Sequence, residues 1–198
     1  MGAHGVAGDL TLDGAAGAVT ASDVKGSLRV DTGSGSVDVG QVEGELSVDT
    51  GSGGVRILGA HGPRVGIDTG SGSVEARDVR TDDLIVDTGS GRVTLVDVEA
   101  DRVRVDTGSG GVMVGLTRDV ESLRVDTGSG AVTLRVPDGF SAELEVDTGS
   151  GGIDSEVPLT LIHKDHGELR ARIGDGRGRV VIDTGSGGVR IVKATGKS

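Results

Sequence analysis

One hexapeptide governs this chain. Val/Ile-Asp-Thr-Gly-Ser-Gly occurs eight times, with its aspartate at Asp31, Asp49, Asp68, Asp87, Asp106, Asp126, Asp147 and Asp183. Successive aspartates lie 18, 19, 19, 19, 20, 21 and 36 residues apart. The last interval is twice 18 and has Asp165-His166-Gly167 at its middle, while Leu12-Asp13-Gly14-Ala15-Ala16-Gly17 lies 18 residues before Asp31. A fixed period of this length marks a stack of supersecondary units, here about ten.

Within each unit the apolar residues have period two. Counted from the aspartate, position −3 holds Leu or Val (Leu28, Leu46, Val65, Leu84), position −1 is Val or Ile, and position +6 is again Val or Ile. Position +8 is mostly apolar, and a Val or Ala follows near +11. Alternation of β-branched residues broken by glycine predicts short strands with one buried face, and glycine every few residues makes a helix costly. One such unit cannot cover its own apolar face, so each must cover the next. The predicted fold is all-β: a single-stranded, parallel β-solenoid of about ten coils, 18–21 residues per coil, in one domain over residues 1–198. Right-handed winding is the weak default for parallel crossovers, and left-handed solenoids also exist, so the sequence leaves the handedness open. Residues 1–26 read as a degenerate first coil, 27–157 as regular coils, 158–178 as an irregular coil or hairpin, 179–193 as the last coil and 194–198 as a tail. Strands in sequence order should pair with the same strands of the next coil.

Local features refine this picture. The motif glycines are expected at a sharp turn that needs φ > 0. The stretch from the motif to +8 never changes length, so insertions such as Val136-Pro137-Asp138-Gly139-Phe140 mark a variable edge, the first place to look for partner contacts. Residues 159–163 and 168–173 read as two strands around Asp165-His166-Gly167, near a terminal edge that has to be capped.

Composition then removes function classes. One Phe, no Trp and no Tyr argue against an ordinary layered core and against aromatic platforms for sugar rings. A net charge of −11, from 31 acids against 20 bases, argues against a nucleic-acid groove or an anionic membrane surface as partner. No apolar run approaches the roughly 20 residues of a membrane span, so this chain is not expected to insert directly. Met1-Gly2-Ala3-His4-Gly5 lacks the basic-then-apolar pattern of a signal peptide. The location is therefore expected to be the cell envelope or the outside if a leader or anchor was removed, and the cytoplasm otherwise. Zero Cys excludes a disulfide scaffold. The absence of Asn and the excess of Arg over Lys look like a GC-rich bacterial genome.

Several motifs carry chemistry elsewhere. Asp-Thr-Gly-Ser is also the aspartic-protease signature, but that chemistry needs two carboxylates facing each other, and eight copies in register form a column instead. The aspartates Asp31, Asp49, Asp68, Asp87, Asp106, Asp126, Asp147 and Asp183 are expected to accept a glycine N–H in an Asx-turn. Carboxylates about 5 Å apart repel by about 3 kcal/mol at an effective dielectric near 20, and by under about 1 in water. The column is thus the candidate cation site, with Ca2+ as the candidate ion. His163, Asp165 and His166 are adjacent on one turn and read as a solvated loop. Gly174-x-Gly176-x-Gly178 has no helix after it. Ala194-Thr195-Gly196-Lys197-Ser198 lacks the first glycine and the helix of a phosphate loop. A threonine per coil suggests an ice-binding strip, which flanking aspartates would make charged. No catalytic residue is assigned.

The repeated Leu-x-Val-Asp-Thr-Gly-Ser-Gly-x-Val-x-Val unit, with the closing Ile173-Gly174-Asp175-Gly176 turn, resembles the bacterial adhesin-type β-strand repeat family, a domain of unknown function, over about residues 8–193. The resemblance implies a β-helix and cell-envelope association, without an established activity. The leading expectation is a non-enzymatic surface, adhesion or scaffolding module that meets a protein or cell-surface partner. The alternatives are a β-helix that self-associates through its end coils into filaments, and a polysaccharide-active β-helix enzyme.

Overall fold

The structure, a computed structural model, describes residues 1–194, so the tail beyond Ala194 lies outside the described residues. The fold is all-β, with 69% of it in strands and no helix among the described residues. Among the described residues no helix is long and apolar enough to cross a membrane. Among the described residues, eighteen strands join in one continuous sheet that coils on itself.

The first turn consists of β1 (Gly2–Ala7) and β2 (Leu10–Ala16), the second of β3 (Val19–Lys25) and β4 (Leu28–Ser34), and the third of β5 (Val37–Glu43) and β6 (Leu46–Thr50). Three turns follow as single bent strands, β7 (Val55–Thr69), β8 (Val74–Thr88) and β9 (Val93–Thr107), and then β10 (Val112–Leu116) with β11 (Ser122–Thr127). Each strand pairs in parallel with its equivalent one turn on. Thus Leu10 is opposite Leu28, Leu28 opposite Leu46, Leu46 opposite Val65, Val65 opposite Leu84, and Leu84 opposite Val103. This is the predicted β-solenoid, with about seven turns rather than ten.

Sequential stacking holds through β12 (Val132–Val136), which lies on β10, and the units after Val136 depart from it. The remaining strands are β13 (Ala142–Thr148), β14 (Ile153–Ser155), β15 (Thr160–Lys164), β16 (Glu168–Ile173), β17 (Gly178–Thr184) and β18 (Val189–Lys193). β17 pairs in parallel with β11 on one side, Leu123 opposite Val180, and with β13 on the other, Leu144 opposite Val180. β18 likewise lies between β12 and β14. The last unit in sequence is therefore inserted between the Asp126 and Asp147 windings, which corrects the expected sequential stacking. Near-identical units present interchangeable edges, so local pattern cannot fix their order. The long interval between Asp147 and Asp183 provides enough chain to pass over one winding and return. That interval forms the predicted hairpin: β16 runs antiparallel along β13, and β15 antiparallel along β16.

The interior is a narrow aliphatic column of Leu, Val and Ile, with Phe140 buried where the insertion 137–141 folds over it. Strict alternation would turn +11 outward if +8 points inward. One left-handed residue at +10 corrects the parity: Asp23, Gln41, Gly59, Asp78 and Asp97 have φ of 54°, 50°, 82°, 52° and 55°. A short acidic side chain tolerates this region through local hydrogen bonding, which explains three of the five.

The motif glycines have a different role from the expected one. Of the sixteen in the eight motifs, only Gly35 has a positive φ, at 151°. The reason for glycine is the layer below. A Cβ on Gly72, Gly91, Gly110 or Gly130 would run into the carbonyl of its counterpart, Gly53, Gly72, Gly91 or Gly110. Gly91→Ala should accordingly destabilise by about 1–3 kcal/mol or more, since backbone has to move. The exposed neighbour Ser90→Ala should stay within about 0.5 kcal/mol. Urea unfolding of both variants checks this.

Candidate functional site

Alternation along the strand divides the Asp-Thr pair between two environments. The threonines Thr32, Thr50, Thr69, Thr88, Thr107, Thr127, Thr148 and Thr184 point inward and are at most 2% exposed. The hydroxyls of Thr69, Thr88, Thr107, Thr127 and Thr184 donate to the carbonyls of Gly53, Gly72, Gly91, Gly110 and Gly130 in the adjacent layer, at 3.0–3.2 Å. Each also accepts the N–H of the second glycine in its own turn, for example Gly91 on Thr88 at 3.1 Å. The bond from Thr184 to Gly130 spans 54 residues and ties the inserted winding into the ladder.

One expectation is corrected here, and an ice-binding strip is opposed on a second ground. The threonines are an internal ladder, so they form no ice-binding strip. The first motif glycine gives its N–H to a threonine carbonyl of the neighbouring layer, as Gly70 does to Thr50 at 3.1 Å, rather than to the aspartate in an Asx-turn.

The aspartates point outward. In register they run Asp13, Asp31, Asp49, Asp68, Asp87, Asp106, Asp126, Asp183, Asp147, with Asp183 between Asp126 and Asp147. Glu168 pairs with Asp147 and lengthens the column by one acid that sequence reading did not place there. The layer spacing is about 4.8 Å.

Several other outward positions pair opposite charges between layers. Arg56 sits between Asp38 and Glu75, 3.3 and 3.7 Å away. Arg102 holds Asp83 at 2.6 Å and Glu121 at 3.3 Å. Arg80 and Arg118 flank Glu99 at 3.8 and 3.4 Å. In the aspartate column only its upper part meets arginine, Arg104 at 3.9 Å from Asp106 and Arg124 at 3.5 Å from Asp126. Among the described residues Asp49, Asp68 and Asp87 form no ion pair.

Burial, then the neighbours Asp87 and Asp49, pushes the Asp68 carboxyl above its usual range. Burial, then Asp126 and Asp87, does the same to Asp106, against the pull of Arg104 and Arg124. The hydrogen bond from Arg102 instead lowers Asp83, and the His166 backbone N–H lowers Asp165. Among the described residues no three His, Cys, Asp or Glu side chains are grouped to hold a metal ion. The carboxylates follow one another one per layer, whereas calcium takes six to eight oxygens from around it. His163, Asp165 and His166 do not converge either. Asp165 accepts from the His166 N–H at 2.7 Å, while His163 lies opposite Arg170.

The extra residues of the longer units lie where the sequence places the variable edge. The register slips between Val114 and Leu116, and segments 117–121 and 137–141 form loops joined by Asp119, which accepts the Ser141 N–H at 3.1 Å. A groove of about 540 Å³ runs beside them, with Arg80, Glu99, Leu116, Arg135 and Asp138 on its walls. It arises only when variable segments of successive layers meet, so no single repeat announces it.

Two outcomes follow from this geometry. Thr88→Val, which strands a buried glycine N–H and a carbonyl, should cost about 1–3 kcal/mol in urea unfolding. Asp68 has a folded pKa above its unfolded one, so its carboxyl favours folding fully below the unfolded pKa and loses that contribution as pH rises through the folded value. Asp68→Asn should therefore stabilise the fold at pH 7 by a few tenths of a kcal/mol up to about 1, read as a rise in melting temperature. The gain should shrink in high salt and vanish near pH 3. Asp83 and Asp165 have the opposite sign, their contributions being lost as pH falls, so the comparison is made between variant and wild type at each pH.

No curated protein and no solved structure matches the chain. Residues 18–192, which include all eight motifs, match the family described as Toastrack DUF4097. With that match covering most of its length, and with the solenoid that its repeats build, the chain belongs to the Toastrack family, a domain of unknown function.

Proposed function

We propose that this Toastrack domain is a non-enzymatic surface, adhesion or scaffolding module whose acidic column lies along an extended, basic protein or cell-surface partner. The observation that carries this reading is the contrast between columns. At other outward positions charges are offset by opposite charges in adjacent layers, as at Arg56, Arg80 and Arg102, whereas the aspartate column repeats one charge along the rod and loses stability by it. A row of like charges with one repeat per layer suits a partner that is itself extended, because each further layer adds the same contact again. The enzymatic alternative receives no support from the chain's chemistry, since sugar-processing sites use aromatic platforms and this chain has neither Trp nor Tyr. Divalent cations act on such a column as screening counter-ions rather than caged ligands, so calcium and magnesium should act alike.

The test uses a lysine-rich probe peptide and two triple variants of equal net charge. Asp49→Asn/Asp68→Asn/Asp87→Asn should weaken binding about tenfold in calorimetry, while Asp82→Asn/Asp154→Asn/Glu156→Gln, away from the column, should change it less than about threefold. Equal losses in the two variants would show that only net charge matters and would sink the proposal.

A further inference from the structure

The two ends of the rod are finished differently. At the hairpin end, the outermost strand β15 carries several devices that discourage another strand from adding. Pro158 precedes it, and the register slips between Leu161 and His163. Lys164 is paired with the buried Leu169, which puts a charge on the core side of the edge. Proline, a bulge and an inward-facing charge are each known to block edge-to-edge pairing. At the opposite end, β1 and β2 have, among the described residues, a neighbour on one side only. Residues 2–19 contain no Lys, Arg or Pro. Ala3, Val6 and Leu10 are only partly buried against the core, and Met1, 59% exposed, lies against Gly14. Leu10 gives its N–H to Ser27 of the next layer at 2.8 Å. Its alternates Thr11 and Asp13 therefore turn their backbone groups to the open end.

We propose that this open end joins a second copy of the chain across a twofold axis, β2 pairing antiparallel with β2 of the other copy, and that assembly stops at the dimer. The proposal is independent of what the acidic column meets. The strand is self-complementary in one register. With core-side residues kept opposite core-side residues, Leu12 meets Leu12 of the second copy, Leu10 meets Gly14, and Thr11 meets Asp13. The register shifted by one pleat sets Asp9 opposite Asp13 and is disfavoured by like charge. Head-to-tail addition would instead lay Lys164 over Leu12, a charge against an apolar core position. A twofold contact uses the same patch on both copies and closes, which leaves only blocked hairpin ends exposed.

Sedimentation equilibrium of the full chain over micromolar to sub-millimolar concentrations tests this. The mass should rise from 19.8 kDa towards twice that value and no further. Thr11→Asp places a carboxylate opposite Asp13 twice per dimer and should weaken association about tenfold. Thr11→Lys should leave it unchanged or tighten it. Thr11 is exposed and lies beside Arg29 of the next turn, so both variants keep their fold, which the melting temperature verifies. Lys164→Val should let masses pass beyond the dimer. A wild-type chain that stays monomeric throughout, or that grows past the dimer, or equal effects of Thr11→Asp and Thr11→Lys, would each overturn the proposal.

Discussion

The contact between one layer and the next determines nearly everything else in this molecule. Parallel strands bring successive windings to within about 4.8 Å of each other, and at the motif corner this leaves no room for a Cβ between stacked carbonyls. Glycine is required there by its neighbour above or below rather than by its own torsion angles. The same closeness lets each buried threonine hydroxyl bridge its own turn and the adjacent layer, so the polar groups of a tight corner are paired inside an aliphatic interior. It also brings the outward aspartates together in register. Core, corner and acidic face are three results of one spacing.

Much of this was legible in the sequence. Leu28, Val30 and Val37 read as inward positions from alternation alone, and they are buried. The hairpin around Asp165-His166-Gly167 was visible in the break of the pattern. Some roles were hidden because alternation assigns a side but not a partner. Thr88 and Asp87 are adjacent, and only the layered structure shows that the hydroxyl serves the turn while the carboxylate faces solvent. The left-handed corner at Asp78 and Asp97 was signalled by the odd step between two inward positions, though no glycine marked it. The groove beside Leu116 and Pro137 requires loops from several layers at once, which no repeat contains.

Stacking order was not legible, for a reason rooted in the repeats themselves. Two equivalent edges, such as those of β11 and β13, offer the same Leu, Val and Thr to any newcomer, and β17 fits between them as well as either fits the other. What distinguishes the alternatives lies outside the repeat: the length of the 158–178 connection and the hairpin that it forms against β13.

The inserted winding has a consequence for how the chain reaches its fold. Up to Val136 each turn can settle on the one made just before it, so the rod can zip up as it leaves the ribosome, with contacts whose sequence separation is only one repeat. After that point the process changes character. β13 and β14 have no permanent seat until residues 178–193 arrive between them and the finished part of the rod. Closing that gap joins strands 57 residues apart, a far larger loop than any earlier step has to close. The inserted layer is thus the one with the costliest loop closure, and β13 and β14 are seated only once it has arrived.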